Sequence, residues 1–256
     1  MITLKNSRQI EKMRIAGRLL GQVLNALREM VKPGITTSEL DKAAEKMIRD
    51  AGALPSFKGY EGFPATICAS PDDGVVHGFP NHKPLLVGQI ISVDCGLSLE
   101  GWQADSAFTS PVGDVKPELA QLIKVTEECF WLGFEQAKPG NRLGDISHAV
   151  EQHAKEYGYG VIRDLCGHGI GRKMHEDPSI PNYGESGKGI RLREGMTIAV
   201  EPMIALGDWR VKVREDGWTV VTRDHRACSH YEHTIAITED GPQALTFVEK
   251  TEAEDE

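Results

Sequence analysis

Four carboxylates and one histidine occupy positions in this sequence where such side chains can bind metal ions: Asp94, Asp105, His168, Glu201 and Glu232. Glu201 and Glu232 each lie in a predicted strand, and an acid in an apolar strand is costly to bury unless it is paired or metal-bound. Four carboxylates can offset two divalent cations, so we predict a dinuclear centre with ions about 3.5–4 Å apart. Oxygen-rich ligation with a single imidazole suits Mn, Fe(II), Co or Zn.

The two aspartates lie in one predicted β-hairpin over residues 88–109. A four-residue loop at 98–101 would place Asp94 directly opposite Asp105 on the neighbouring strand. Two like charges in that position repel each other unless a cation or a shared proton lies between them. The pair therefore predicts hard oxygen ligands for a divalent metal. In the alternative interpretation, one aspartate is a turn residue that faces solvent.

His168 stands in a glycine-rich segment, Cys166-Gly-His-Gly-Ile-Gly171, which permits close backbone approach around the imidazole. A phosphate-binding loop is the competing interpretation, but the usual lysine and the following helix are missing. His175 comes seven residues later, too far for a helical zinc-binding pair. We assign no role to the remaining histidines, which we expect to be solvated or packed: His82, His148, His153, His225, His230 and His233.

An internal repeat organises the elements that must position these residues. A Lys-Pro-Gly sequence at 32–34 and again at 138–140 separates a predicted helix from a second amphipathic helix that ends at a glycine. The first helices span Ser7 to about Val31 and Pro117 to about Ala137. Segments 88–94 and 195–201 then form matching strands that each end in a carboxylate. The second half carries extra residues, which we assign to a hairpin over 209–221.

The repeated halves, residues 7–110 and 117–240, predict an α+β fold with pseudo-twofold symmetry. We expect one catalytic domain over residues 1–256, with the site between the halves. We expect the acidic tail 249–256 to be mobile.

Composition excludes several function classes for the 256-residue chain. Lys and Arg number 29 against 38 Asp and Glu, a net charge of −9, which argues against general binding to nucleic acid or to anionic membranes. No apolar stretch approaches the roughly 18–20 residues that span a bilayer. The first residues lack an apolar signal core, so we expect a protein that is not exported. The five scattered cysteines favour a reducing compartment, and we predict a cytoplasmic location.

Seven motifs together resemble those of type I methionine aminopeptidases. They are Val-His-Gly at 76–78, Val-Asp at 93–94, Gln-Ala-Asp-Ser at 103–106, Cys-Gly-His-Gly-Ile-Gly at 166–171, Met-His-Glu-Asp-Pro at 174–178, Glu-Pro-Met at 201–203 and Tyr-Glu-His-Thr at 231–234. The resemblance covers nearly the whole chain. It implies the pita-bread fold, in which two pseudo-twofold-related halves share an antiparallel sheet with flanking helices.

Carried over residue by residue, the resemblance implies the metal ligands Asp94, Asp105, His168, Glu201 and Glu232. Asp105 and Glu232 would bridge both ions. The catalytic residues implied are His77, His175 and Glu201, and the two histidines also contact the substrate. The implied methionine pocket comprises Tyr60, Phe63, Cys68 and Trp218, with Phe57 nearby and bulkier than the resemblance leads one to expect.

The implied activity is removal of the initiator methionine from nascent proteins whose second residue is small. A hydroxide held by two divalent ions (Co, Mn, Fe(II) or Zn) would attack the scissile carbonyl, with Glu201 as general acid/base and His175 stabilising the oxyanion. The partners implied are nascent polypeptide N-termini and, transiently, the ribosome. We expect a monomer that binds neither nucleic acid nor membrane.

Two other functions remain open at this stage. Xaa-Pro aminopeptidases and prolidases share the fold and the ligand set, but usually carry a sizeable N-terminal domain, whereas the first helix here begins within about ten residues of the start. A non-catalytic pita-bread protein that binds peptides would lose ligand carboxylates, and this sequence keeps them. Metal content and hydrolysis of a methionyl peptide would distinguish the three.

Overall fold

The computed structural model describes residues 1–249, so the predicted mobile tail falls outside the described residues from position 250 onward. Within these residues there are four α-helices: α1 Ser7–Met30, α2 Thr37–Asp50, α3 Pro117–Gln136 and α4 Leu143–Glu156. The helices α1 and α3 each end one residue before the predicted end, and α2 and α4 each end two residues before the predicted terminal glycine. A short 3-10 helix covers Tyr60–Gly62. None of these helices combines the length and the apolar character needed to cross a membrane.

The helices of the first half begin at capping boxes. The Asn6 side chain accepts a hydrogen bond from the Gln9 backbone N–H at 3.0 Å, while the Gln9 side chain accepts from the Asn6 N–H at 2.9 Å. Thr36 and Glu39 make the same reciprocal pair at the start of α2. Both boxes satisfy backbone donors that a helix start leaves free.

Fifteen strands complete the fold of the part of the chain that the structure describes. They are β1 Leu54–Pro55, β2 Ile67–Pro71, β3 Gly74–Val76, β4 Ile90–Leu99, β5 Trp102–Pro111, β6 Gly160–Val161, β7 Gly167–Gly169, β8 Glu176–Ile180, β9 Thr197–Val200, β10 Met203–Ala205, β11 Val211–Val213, β12 Val220–Thr222, β13 Cys228–His230, β14 Glu232–Thr238 and β15 Gly241–Ala244.

The strands form one large antiparallel sheet and two small ones. The nine-stranded sheet has the order β1-β4-β5-β14-β9-β7-β8, with β2 added to β4 and β15 added to β14. The three-stranded sheets have the orders β13-β10-β6 and β11-β12-β3. In the large sheet, strands from the first half of the sequence meet strands from the second half where β5 pairs with β14. The extra residues of the second half include the β11–β12 hairpin, as predicted.

Strand alternation separates the helix-packed core from the face that carries the carboxylates. Along β4, Ile91, Val93, Cys95 and Leu97 pack into the core beneath α1 and α2. Asp94 lies between them in sequence and therefore points to the opposite face. A second core, built on α3, α4, β9 and β14, covers the other half of the same sheet. The carboxylates therefore lie on the face of the large sheet opposite the helices.

The predicted register of the β4–β5 hairpin is wrong. The strands are joined by two residues, Glu100 and Gly101, rather than by a four-residue loop, and both residues have positive φ angles of 50° and 73°. Such a turn matches the right-handed twist of the strands. Asp94 consequently pairs with Ala107, and Asp105 pairs with Gly96. The two aspartates are diagonal neighbours on one face instead of direct partners.

Candidate metal centre

Five adjacent strands of the large sheet each bring one of the predicted ligands to a common point. In the order of the strands across the sheet, Asp94 lies on β4, Asp105 on β5, Glu232 at the start of β14, Glu201 directly after β9, and His168 on β7. The first two come from the first half of the sequence and the other three from the second half. The structure therefore brings all five predicted side chains together.

His168 presents one ring nitrogen to the carboxylates and the other to the backbone. Its Nε2 lies 3.6 Å from Asp105 Oδ2 and 3.8 Å from Glu201 Oε1. Its Nδ1 lies 2.9 Å from the Gly169 carbonyl oxygen. A proton on Nδ1 donates to that carbonyl, so the Nε2 lone pair faces the cluster, which is the usual arrangement of a metal-binding imidazole.

The glycines on either side of His168 allow its strand to approach its neighbours. A Cβ atom on Gly167 would overlap the Ala199 carbonyl oxygen of β9, and one on Gly169 would overlap the Asp177 carbonyl oxygen of β8. The glycine-rich segment therefore packs a short central strand between two others. It does not form a phosphate-binding loop.

The carboxylates face one another rather than basic side chains. Burial, then the charge of Asp105, raises the pKa of Asp94 well above its ordinary value. The pKa values of Glu201 and Glu232 are raised in the same way, by burial first and by neighbouring carboxylates second. Within residues 1–249, the basic side chains that come within 4 Å of the cluster acids are the histidines His168 and His230, and neither a lysine nor an arginine does so. Divalent cations would relieve this repulsion.

Three buried carboxylate oxygens lack a hydrogen-bond partner within the described chain: Asp94 Oδ1, Asp105 Oδ1 and Glu232 Oε1. Leaving such an atom unsatisfied costs about 1–3 kcal/mol or more. Candidate ligand atoms form two overlapping groups within 4.8 Å, one of Asp105, His168 and Glu232 and one of Asp94, His230 and Glu232. The unsatisfied oxygens and the donor chemistry both fit divalent metal ions.

His230 is a member of the cluster that the sequence analysis missed. It was expected to be solvated or merely packed, but it is 1% exposed, and its Nε2 lies 3.5 Å from Glu232 Oε2. A sequence signal exists. His230 precedes Glu232 by two residues at the junction of two strands, and alternate residues of extended chain point to the same side.

A cavity of about 170 Å³ opens beside the carboxylates. Its walls include all the residues predicted for the pocket and Phe57 as well: Phe57, Tyr60, Phe63, Cys68 and Trp218. The Phe63 ring lies 5.3 Å from Trp218 and 6.4 Å from Phe57, both edge-to-face. Cys68 is buried and pairs with Asp94 across β2 and β4, so the apolar wall adjoins the carboxylate cluster directly.

His77 and His175 also line this cavity. The Tyr60 hydroxyl lies 2.8 Å from His175 Nδ1, and the His175 ring is 4.4 Å from that of His168. The His77 ring is 6.2 Å from Trp218. Desolvation lowers the pKa of both histidines below the ordinary value, and His168 lowers that of His175 further. Both rings therefore favour the neutral form more strongly than a free imidazole does.

This fold and this carboxylate cluster define a metal-dependent peptidase, and the model of metallopeptidase family M24 matches residues 11–239. Methionine aminopeptidase from Clostridium acetobutylicum is 51% identical over 250 residues, which cover 97% of this chain and 100% of that protein. Methionine aminopeptidase 1 from Bacillus subtilis is 48% identical over 248 residues, again 97% of this chain and 100% of that protein. The chain therefore belongs to family M24 and, within it, to the methionine aminopeptidases.

A solved structure gives the same result for the fold. The crystal structure of methionine aminopeptidase from Rickettsia prowazekii superposes with a TM-score of 0.95 at 42% identity, covering 96% of this chain and 100% of that one. The predicted pita-bread architecture is confirmed. The prediction of a metal-dependent hydrolase is confirmed by the family.

Proposed function

We propose that this protein removes the N-terminal methionine from polypeptides whose second residue is small. The observation that carries the proposal is the apolar, aromatic cavity that ends on the carboxylate cluster. An unbranched thioether can adapt to such a cavity, where the Cys68 sulfur and aromatic ring edges offer favourable contacts. The proposed substrates are nascent polypeptide chains in the cytoplasm. We propose that the enzyme acts on them as a monomer and that the ribosome is a transient partner.

Two divalent ions would be held by Asp94, Asp105, His168, Glu201 and Glu232. Mn, Fe(II), Co and Zn all suit this donor set. Such ions, when bound, lower the pKa of water and polarise the scissile carbonyl. A free α-amine beside the ions would restrict the reaction to the chain end.

Glu201 is the proposed general acid/base. Its carboxylate lies at the edge of the cluster, 3.8 Å from His168 Nε2, and faces the cavity. Its Oε atoms can take a proton from the attacking water and hand it to the leaving amine nitrogen. Proton transfer by a positioned side chain contributes about 10²–10⁴-fold to a rate.

His175 is the proposed donor to the developing oxyanion. The Tyr60 hydroxyl donates to His175 Nδ1, and in the neutral ring this leaves Nε2 as the protonated nitrogen. The Nε2–H can then donate to the carbonyl oxygen as charge builds there. His77, across the cavity beside Trp218, would bind the scissile amide nitrogen or the leaving residue.

A panel of peptides tests this proposal against its rivals. The protein is stripped of metal, loaded with Mn or Co, and given Met-Ala-Ser, Leu-Ala-Ser, Met-Leu-Ser and an Ala-Pro dipeptide. We expect rapid release from Met-Ala-Ser alone. Preferred cleavage of Ala-Pro would indicate a prolidase, and binding of methionyl peptides without hydrolysis would indicate a non-catalytic module.

A further inference from the structure

We propose that His230 is a sixth protein ligand of the metal centre and supplies the imidazole for the ion on the Asp94 side. The inference rests on the dinuclear centre proposed above. It changes the donor set from four carboxylates and one imidazole to four carboxylates and two imidazoles.

The first support is that His230 is buried without hydrogen bonds to its ring. It is 1% exposed, and neither Nδ1 nor Nε2 has a partner in the described part of the chain. His233, three residues further on, is also buried, but its Nδ1 meets the Thr246 hydroxyl at 2.8 Å and its Nε2 meets the Tyr231 hydroxyl at 3.1 Å. A packing role explains His233. A packing role does not explain why both ring nitrogens of His230 lack a hydrogen-bond partner, because buried polar atoms almost always have one.

The second support is the direction in which the ring points. His230 Nε2 lies 3.5 Å from Glu232 Oε2 and 3.9 Å from Glu201 Oε2. These separations exceed a hydrogen bond. They approach the spacing of two donors on a shared ion, because ligand atoms about 2.1 Å from a metal at tetrahedral or octahedral angles lie about 3.0–3.4 Å from each other.

The third support is the symmetry of the two candidate groups. Asp105, His168 and Glu232 form one, and Asp94, His230 and Glu232 form the other. Each contains one aspartate and one imidazole, and Glu232 belongs to both. His230 therefore has the same position relative to Asp94 as His168 has relative to Asp105.

Backbone contacts fix His230 in this position. Its strand β13 pairs with β10, with His230 opposite Met203. Its backbone N–H donates to the Thr109 hydroxyl at 2.9 Å, and that hydroxyl lies 2.9 Å from the His230 carbonyl oxygen. The backbone that carries the ring is thus held in place by the chain itself, as expected for a preorganised ligand.

Proton NMR of the protein loaded with two equivalents of Co(II) counts the bound imidazoles without any measurement of activity. Each imidazole bound to Co(II) through one nitrogen keeps a ring N–H, whose resonance moves far outside the diamagnetic range and disappears in D₂O. We expect two such resonances in the unmodified protein. His230→Gln should remove one, and His168→Gln should remove the other.

His233→Gln is the matched control, because it removes a buried histidine whose ring is hydrogen-bonded elsewhere, and it should leave both resonances. Calorimetry on His230→Gln should show one Co(II) step weakened by more than the roughly 10–100-fold typical of outer-sphere partners.

The outcomes separate the two proposals. One shifted resonance in the unmodified protein, or two that both survive in His230→Gln, would overturn the role of His230 while leaving the metal centre intact. No shifted resonance at all would contradict the proposed metal centre itself. The count in the unmodified protein stands even if His230→Gln does not fold.

Discussion

At the scale of single residues, one hydrogen bond carries the proposed assignment of the proton in the His175 ring. Tyr60 Oη lies 2.8 Å from His175 Nδ1, and neither residue belongs to the two groups of candidate ligand atoms. The proposed catalytic role of His175 can therefore be tested separately from metal binding.

His175→Ala should keep both metals and lower kcat by about 10²–10³-fold, the usual cost of removing one oxyanion donor. Tyr60→Phe should give a smaller loss in kcat, because His175 remains but its tautomer is no longer fixed. Steady-state kinetics with metal-affinity measurements on the same samples test this. His168→Ala is the comparison and should weaken metal binding itself. A loss of metal from His175→Ala with none from His168→Ala would mean that the two roles are reversed.

The burial of His233 should make the folding stability of the protein decrease as the pH falls. Burial lowers the pKa of His233 from 6.5 to about 3. The unfolded chain therefore binds a proton below pH 6.5 that the folded chain does not, and stability is lost as pH falls from 6.5 toward 3. Between pH 7 and pH 5 this single group should cost about 2 kcal/mol. Urea unfolding of the metal-free protein at the two pH values should show a smaller pH-dependent loss in His233→Gln. An unchanged loss would contradict the assignment.

At the scale of elements, strand alternation was predictable and turn length was not. The predicted hairpin placed Asp94 opposite Asp105, whereas the two-residue turn shifts the register by two. A shift of two preserves the face on which each side chain lies, so both aspartates still reach the cluster.

The role of His230 was not predicted from the sequence for a related reason. The chain changes from the small sheet to the large one between His230 and Glu232, and a motif centred on the acid does not show that both side chains face the same ions.

The close packing of β7 predicts that Gly169→Ala damages both stability and metal binding. A Cβ at this position would overlap the Asp177 carbonyl oxygen on β8, so the strand that carries His168 must move. We expect destabilisation of at least about 1–3 kcal/mol, as for other overpacked sites, and weaker metal binding. Gly144→Ala is a matched control, because Gly144 lies in α4 and its Cβ would overlap the Glu185 carbonyl oxygen of a loop. It should lose stability while the metal affinity of its folded form is retained. Normal metal affinity in Gly169→Ala would contradict the proposed positioning of His168.

At the scale of the whole molecule, the carboxylate cluster joins the two halves of the sequence. Asp94 and Asp105 come from strands of the first half, and His168, Glu201 and Glu232 come from the second. The repeat of helix pairs, strands and terminal carboxylates made this convergence predictable, because equivalent strands of two related halves meet at one place in the sheet. The substrate pocket was less accessible from patterns alone. Its residues come from the 3-10 turn, β2 and the loop before β12, and the resemblance to a known family carried their prediction.

The central claim is that the carboxylate cluster binds two divalent ions and that these ions are required for methionine release. The most direct test titrates metal-free protein with Mn or Co and measures bound metal and methionine release from Met-Ala-Ser in the same samples. We predict no release without metal, followed by release that rises with the bound ions, which reach two per chain at saturation. Methionine release by the metal-free protein would contradict the account. So would a protein that binds no metal, or releases no methionine, at a saturating concentration of Mn or Co.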